Sequence, residues 1–178
     1  TAYLGTEDVG VGKTGGEKGK IRIVTCSYIV PVKRVERLAE SLKKLEETDM
    51  GIQIEWICFG EGELKRTLVE YCKNNLKKTK VIFKGFQKNE VVLNYYKHNR
   101  VDMFINLSSS EGLPVSIMEA YSFGIPVIAT DVGGTAEIVE NQETGILLEA
   151  DFKNEDLCNS ILSLANLDFE HKEILRKK

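Results

Sequence analysis

Short apolar runs alternate with amphipathic stretches along most of this chain. Residues 21–27 (IRIVTCS), 52–59 (IQIEWICF), 81–85 (VIFKG), 103–107 (MFINL), 126–130 (PVIAT) and 145–148 (GILL) have the length and content of strands. The run 103–107 is apolar throughout apart from Asn106, as in a strand covered on both faces. Helical spacing fills the intervals. Val35, Leu38, Ala39, Leu42 and Leu45 share one face of a helix over 35–47, and further helical runs end near residue 74 or cover 91–97, 115–123 and 135–140. Pro114 suits a first helical position, Gly124 and Pro126 stop the helix behind it, and Leu157, Ile161, Leu164 and Ala165 mark a closing helix. Strand, turn and helix repeating in this order predict an α/β fold: a doubly wound parallel sheet of about six strands with helices on both faces.

In such a sheet, ligands bind beyond the carboxyl ends of the strands. Glu111 falls in the turn after 103–107, and Glu119 falls about one and a half turns into the next helix. Ionised carboxylates only accept hydrogen bonds, so their partners are hydroxyls of a ribose or another sugar. Between them, the backbone N–H groups of Gly112, Leu113 and Val115 around Pro114 form a helix N-terminus suited to phosphate, and Gly112 lets the backbone approach a bulky anion. Taken alone, two glutamates at this spacing fit a capping turn and one solvated helix residue better than a ligand site.

The 178 residues suffice for one domain, expected over 20–167. Residues 1–19 are glycine-rich and read as a flexible linker or arm, and the charged tail covers 168–178. Gly12-Lys13-Thr14 imitates a phosphate-binding loop, but Glu7 stands where its first glycine belongs and no helix follows. With 24 Lys and Arg against 27 Asp and Glu the net charge is −3, which leaves no basic footprint for nucleic acid or an anionic membrane. There is no apolar run long enough to span a bilayer. The four cysteines are widely spaced, which suits buried thiols in a reducing compartment, and no His, Asp or Cys set has metal-ligand spacing. His98 and His171 read as surface residues. A chain opening on Thr1 is expected to be part of a longer protein.

The segment EGLPVSIMEAYSFGIPVIATDVGGTAEIVENQETGILL resembles, in order and spacing, the donor-binding signature of the family-four (group 1) retaining glycosyltransferases of GT-B fold. The resemblance implies a Rossmann-like domain that binds a nucleoside-diphosphate sugar, with UDP the expected nucleotide and no metal cofactor. It places Glu119 on the ribose hydroxyls and Glu111 toward the donor sugar. Lys33 is placed on the diphosphate, where the family expects an arginine at the position of Tyr28; Arg34 is the candidate to compensate. Gly60, in Gly60-Glu61-Gly62, is expected near the phosphates or base, and Phe86-Gln87-Lys88-Asn89 along the nucleobase, with Lys88 as a contact and Asn89 as helix N-cap. The resemblance further implies a second, N-terminal Rossmann-like domain carrying the acceptor site, so that this piece binds donor without turnover. The setting would be polysaccharide or glycolipid synthesis, cytoplasmic or attached to a membrane through that other domain. The alternative is a non-catalytic nucleotide-binding or interaction module on the same fold, with Tyr28 marking a weakened diphosphate clamp.

Overall fold

A computed structural model describes residues 19–48, 51–140 and 145–166; the expectations for residues 1–18 and 167–178, including His171, lie outside it. Six strands, β1 (Lys20–Cys26), β2 (Gln53–Phe59), β3 (Lys80–Gly85), β4 (Met103–Asn106), β5 (Val127–Thr130) and β6 (Gly145–Leu148), form one sheet in the order β3-β2-β1-β4-β5-β6. Every neighbouring pair is parallel. Five helices cross over between or behind them: α1 (Val35–Glu46), α2 (Lys65–Asn75), α3 (Asn89–His98), α4 (Val115–Tyr121) and α5 (Asn154–Asn166). The α/β doubly wound, Rossmann-like architecture is therefore as the sequence predicts.

Alternation along each strand divides the interior into two cores. Ile23, Trp56, Met103, Ile105 and Ile128 face α1, α2 and α5, while Val24, Ile57, Phe104, Val127 and Ala129 face α3 and α4. The inner strands are buried on both sides, whereas β3, at one edge, carries exposed Lys80 and Lys84, which discourage further strand pairing. Trp56 is fully buried and donates its indole N–H to Thr25 Oγ1 at 3.0 Å, so the largest core side chain also has its polar atom satisfied.

Three local expectations are corrected. The helix over 135–140 is only a 3-10 turn, Thr135–Glu137, because β-branched Ile138 and Val139 follow and buried Val139 packs into the α3/α4 core. Pro114 is the N-cap of α4 rather than its first residue. Asn89 does not cap α3; it is the first helical residue, behind Lys88 at the cap, and its amide is engaged elsewhere. The stop of α4 follows expectation: Gly124 takes φ +65°, its N–H donates to Tyr121 O at 2.8 Å, and Ile125 N–H donates to Ala120 O at 3.1 Å.

Candidate functional site

The strand order reverses direction between β1 and β4, so the turns leaving these two strands diverge and open a crevice at their carboxyl ends. The turn after β1 passes through the 3-10 turn Pro31–Lys33; the turn after β4 contains Ser108 to Glu111. Ser109 N–H donates to Val32 O at 2.8 Å and ties the two together.

Glu111 is the centre of this arrangement. Its Oε1 accepts from Lys33 Nζ at 2.6 Å, Asn106 Nδ2 at 3.1 Å and Ser108 Oγ at 2.5 Å. Asn106 Oδ1 in turn accepts from Ser108 N–H at 3.1 Å and lies 2.7 Å from Ser108 Oγ, whose one proton serves either acceptor. Burial pushes the Glu111 carboxyl up, but the hydrogen bonds from Lys33, Ser108 and Asn106 and the charge of Lys33 outweigh it and hold the pKa below the ordinary value. All three donors meet Oε1; Oε2 has no partner among the described residues and is available to a ligand hydroxyl.

Glu119 lies in α4 by the same strand ends. Its Oε1 accepts from Asn89 Nδ2 at 2.5 Å, a contact that joins α4 to the start of α3. Burial raises the Glu119 pKa and the single bond from Asn89 only partly opposes it. Asn89 begins α3 just after β3, so that contact sets Glu119 at the carboxyl edge; burial, then the Glu119 carboxylate, pushes the thiol of Cys26 at the end of β1 up to about 12. Cys26 and Asn106 line the same small crevice with Lys33. The structure thus brings Lys33, Glu111 and Glu119 to one sheet edge, the two carboxylates perturbed in opposite directions. Between them Gly112 is exposed, with no protein atom within 4 Å of where a Cβ would sit, and neither its N–H nor that of Leu113 has a protein acceptor among the described residues. Pro114 is buried beneath and Val115 is exposed at the helix start.

Other expected residues are placed differently. Arg34, in the left-handed region at φ +46°, does not turn its guanidinium toward the crevice. It donates to Leu107 O at 2.7 Å, Ser108 O at 3.0 Å and Ala150 O at 2.7 Å, over the ring of Phe152, so it holds turns together instead of supplementing Lys33. The side of Gly60 that a Cβ would occupy faces protein: that Cβ would meet Ser27 O at 2.0 Å, and one on Gly62 would meet Ile29 O at 2.4 Å. These glycines let the β2 turn lie against the β1 turn, where Ile29 N–H donates to Glu61 O at 2.8 Å. The same holds for Gly133 and Gly134, packed on the backbone of Glu111 and Gly112. The Lys88 side chain is exposed near exposed Phe86 and has no partner among the described residues. Tyr28 stands 63% exposed where the resemblance expects a cation. His98, at the far end of α3, lies 2.9 Å from Asn94 O and has no part in the site.

Three residues of the network were missed from sequence. Asn106 and Ser108 orient Glu111, and Asn89 orients Glu119. Only Asn106 left a signal, as the lone polar residue of an apolar strand.

The small crevice at the switch point of this six-stranded doubly wound sheet, bordered by Lys33 and by Asn106 of the Glu111 network, lies where such folds take their ligands. The model of the family "Glycosyl transferases group 1" matches residues 11–178, and the chain belongs to that family. It is 31% identical over 121 residues to the UDP-Gal:alpha-D-GlcNAc-diphosphoundecaprenol alpha-1,3-galactosyltransferase of Escherichia coli, covering 67% of this chain and 30% of that protein. Among solved structures, a TarM variant from S. aureus in complex with fondaparinux, alpha-GlcNAc-glycerol and UDP superposes with TM-score 0.77 at 23% identity, over 97% of this chain and 34% of that one. Anabaena Alr3699/HepE in complex with UDP and glucose gives TM-score 0.70 at 19% identity, over 89% and 42%. The chain spans less than half the length of the curated relatives it matches. Among the described residues no helix is long and apolar enough to cross a membrane.

Proposed function

We propose that this chain is the donor-binding domain of a retaining glycosyltransferase that moves a sugar from a nucleoside diphosphate, UDP by preference, to a hydroxyl acceptor in polysaccharide or glycolipid synthesis. The observation that carries this reading is the Lys33–Glu111 pair bridging the β1 and β4 turns with Glu119 at the same edge. Lys33 neutralises the diphosphate, joined by the N–H groups of Gly112 and Leu113. Glu111 accepts from a sugar hydroxyl through Oε2, and Glu119 accepts from the ribose. The departing phosphate takes the acceptor proton, so the chain supplies no general base and no metal. The UDP bound in two fold neighbours supports uridine, and the curated relatives support the setting. The acceptor site belongs to another part of a longer protein, so this piece alone binds without turnover.

One observation favours the second reading, a non-catalytic nucleotide-binding module: Tyr28 replaces the expected arginine while Arg34 is committed to carbonyls. Melting the chain with millimolar UDP, GDP, ADP and their sugars tests the primary reading, since selective binding raises Tm by about RT ln(1 + [L]/Kd) divided by the unfolding entropy. A shift lost in Glu119→Ala and kept in His98→Ala is expected. No shift with any of them rejects donor binding; a shift with nucleotides but no extra gain from any sugar supports the module.

A further inference from the structure

Two carboxylates stand at the carboxyl edge of one sheet but are held by unlike means. Glu111 has a cation, a hydroxyl and an amide on one oxygen. Glu119 has one neutral partner, Asn89, and no cation within ion-pairing distance among the described residues. Its own charge bears on two buried groups of the packed elements, the Cys26 thiol of β1 and the Tyr96 hydroxyl of α3, both protonated at neutral pH because burial, before anything else, pushes their pKa values up. A glutamate side chain has three rotatable bonds, and one tethered at a single atom depends on that atom for its direction.

We infer that Asn89 is a positioning residue for the ribose-binding carboxylate: its Nδ2 fixes Glu119 Oε1 so that the remaining lone pairs face the ribose hydroxyls. The inference rests on the donor-binding reading. Its geometry has three parts. Asn89 opens α3 at the carboxyl edge of the sheet, so its side chain enters from the turn after β3, on the same half of the strand order as Lys33 but from a helix that packs on the opposite face from α1. The amide is not used as a helix cap, which leaves its N–H for the 2.5 Å bond. That bond spans thirty residues of sequence, 89 to 119, so it registers α3 against α4 across the ligand position. The same bond opposes the protonation that burial favours, keeping an acceptor where a diol needs one.

The test uses the nucleoside diphosphate of UDP, GDP and ADP that gives the largest thermal shift, paired with its 2′,3′-dideoxy analogue. The ratio of the two Kd values reads the ribose contacts alone, because both ligands carry the same titrating phosphates. Wild type is expected to prefer the ribose form by about tenfold or more at pH 7.5, as for a hydrogen bond to a charged group. Asn89→Ala should reduce the preference about fivefold, with the pH at which it fades moving upward. Asn89→Asp sets a second carboxylate against Glu119 and should move that pH further up again. His98→Ala, on the same helix, should match wild type. Asn89 is exposed at the start of its helix, so the variants are expected to melt near wild type. Wild-type preference retained unchanged in both Asn89 variants, in value and in pH profile, overturns this inference alone. Absence of preference in wild type removes the ribose role of Glu119 and the inference with it, while binding itself can stand. Absence of any nucleotide binding removes the proposed function as well.

Discussion

Lys33 Nζ lies 2.6 Å from Glu111 Oε1, and this salt bridge closes the crevice between the two adjacent strands from which the sheet winds in opposite directions. Both side chains are mostly screened, at 23% and 10% exposure, so the pair is neither a free surface bridge nor a sealed one. A diphosphate arriving at the crevice competes with Glu111 for the ammonium. Lys33→Ala is therefore expected to weaken UDP about 10- to 100-fold, the scale of a hydrogen bond between charged groups, and to leave uridine nearly unchanged. Calorimetric titration with both ligands checks this; equal losses for the two would place Lys33 outside the phosphate subsite.

The opposite perturbation of the two glutamates predicts opposite pH behaviour. The folded pKa of Glu111 is lowered: burial works against this, but the bonds from Lys33, Ser108 and Asn106 prevail. Its stabilisation is then complete above the unfolded carboxyl value, about 4.3, and is lost as pH falls through the folded value below it. Glu119 has a raised folded pKa, first from burial, so its contribution is complete below the unfolded value and is lost as pH rises through the folded one. Glu111→Gln should melt lower than wild type at pH 7, with the gap narrowing below about pH 4. Glu119→Gln should melt at or above wild type at pH 7, by up to about 4 °C, while losing the ribose preference. A Glu119→Gln protein markedly less stable at neutral pH would show that the carboxylate serves the fold and not a ligand.

Much of this architecture was legible because each inner strand is a short apolar run and each long crossover is amphipathic; α1 begins where its Val35, Leu38, Leu42 face begins. The shared edge of Lys33, Glu111 and Glu119 follows from that order, since residues just beyond parallel strands meet at one end. What periodicity does not encode is which neighbour a polar side chain selects. Asn89 ahead of a helix is a good cap by spacing, yet a carboxylate thirty residues away takes its amide. Lys33 and Arg34 are adjacent and both cationic, and only the left-handed backbone at Arg34 sends one into the crevice and the other beneath the turns. The glycines at 60, 62 and 133 are legible as special, but not whether ligand or protein fills the space beside them.

Two glycines in the central stretch separate fold from binding. Gly133 has φ +54°, and a Cβ there would sit 1.8 Å from Glu111 O. Gly133→Ala must displace the turn that carries Glu111 and adopt a disfavoured backbone, costing about 2–4 kcal/mol and on the order of 5–15 °C in Tm. Gly112 meets no protein atom within 4 Å, and its φ is not in the left-handed region. Gly112→Ala is expected to melt within about 2 °C of wild type, a methyl at an exposed turn being nearly neutral. Its UDP affinity should nevertheless fall several-fold, because the methyl occupies the approach to the free amides. Scanning calorimetry with UDP titration checks both, and a Gly112→Ala protein that binds as wild type does would move the diphosphate away from this turn.

Arg34 provides the complementary case, a cation beside the site whose work is structural. Its guanidinium joins Leu107 O and Ser108 O of the β4 turn to Ala150 O beyond β6, and the Phe152 ring lies 5.4 Å from Arg34 Cζ and 4.5 Å from Arg37 Cζ. Truncation removes three charge-assisted bonds and a cation–π contact, so Arg34→Ala should cost about 2–4 kcal/mol, or roughly 5–15 °C. Arg34→Gly loses the same contacts but relieves the left-handed strain, and should recover about 1 kcal/mol of that loss. Below their melting temperatures both variants should bind UDP far better than Lys33→Ala does, because the residue that meets the phosphate is still present. Melting curves of the two Arg34 variants beside nucleotide titration of all three decide the matter: a UDP loss in Arg34→Gly as large as in Lys33→Ala, at preserved fold, would return Arg34 to the diphosphate.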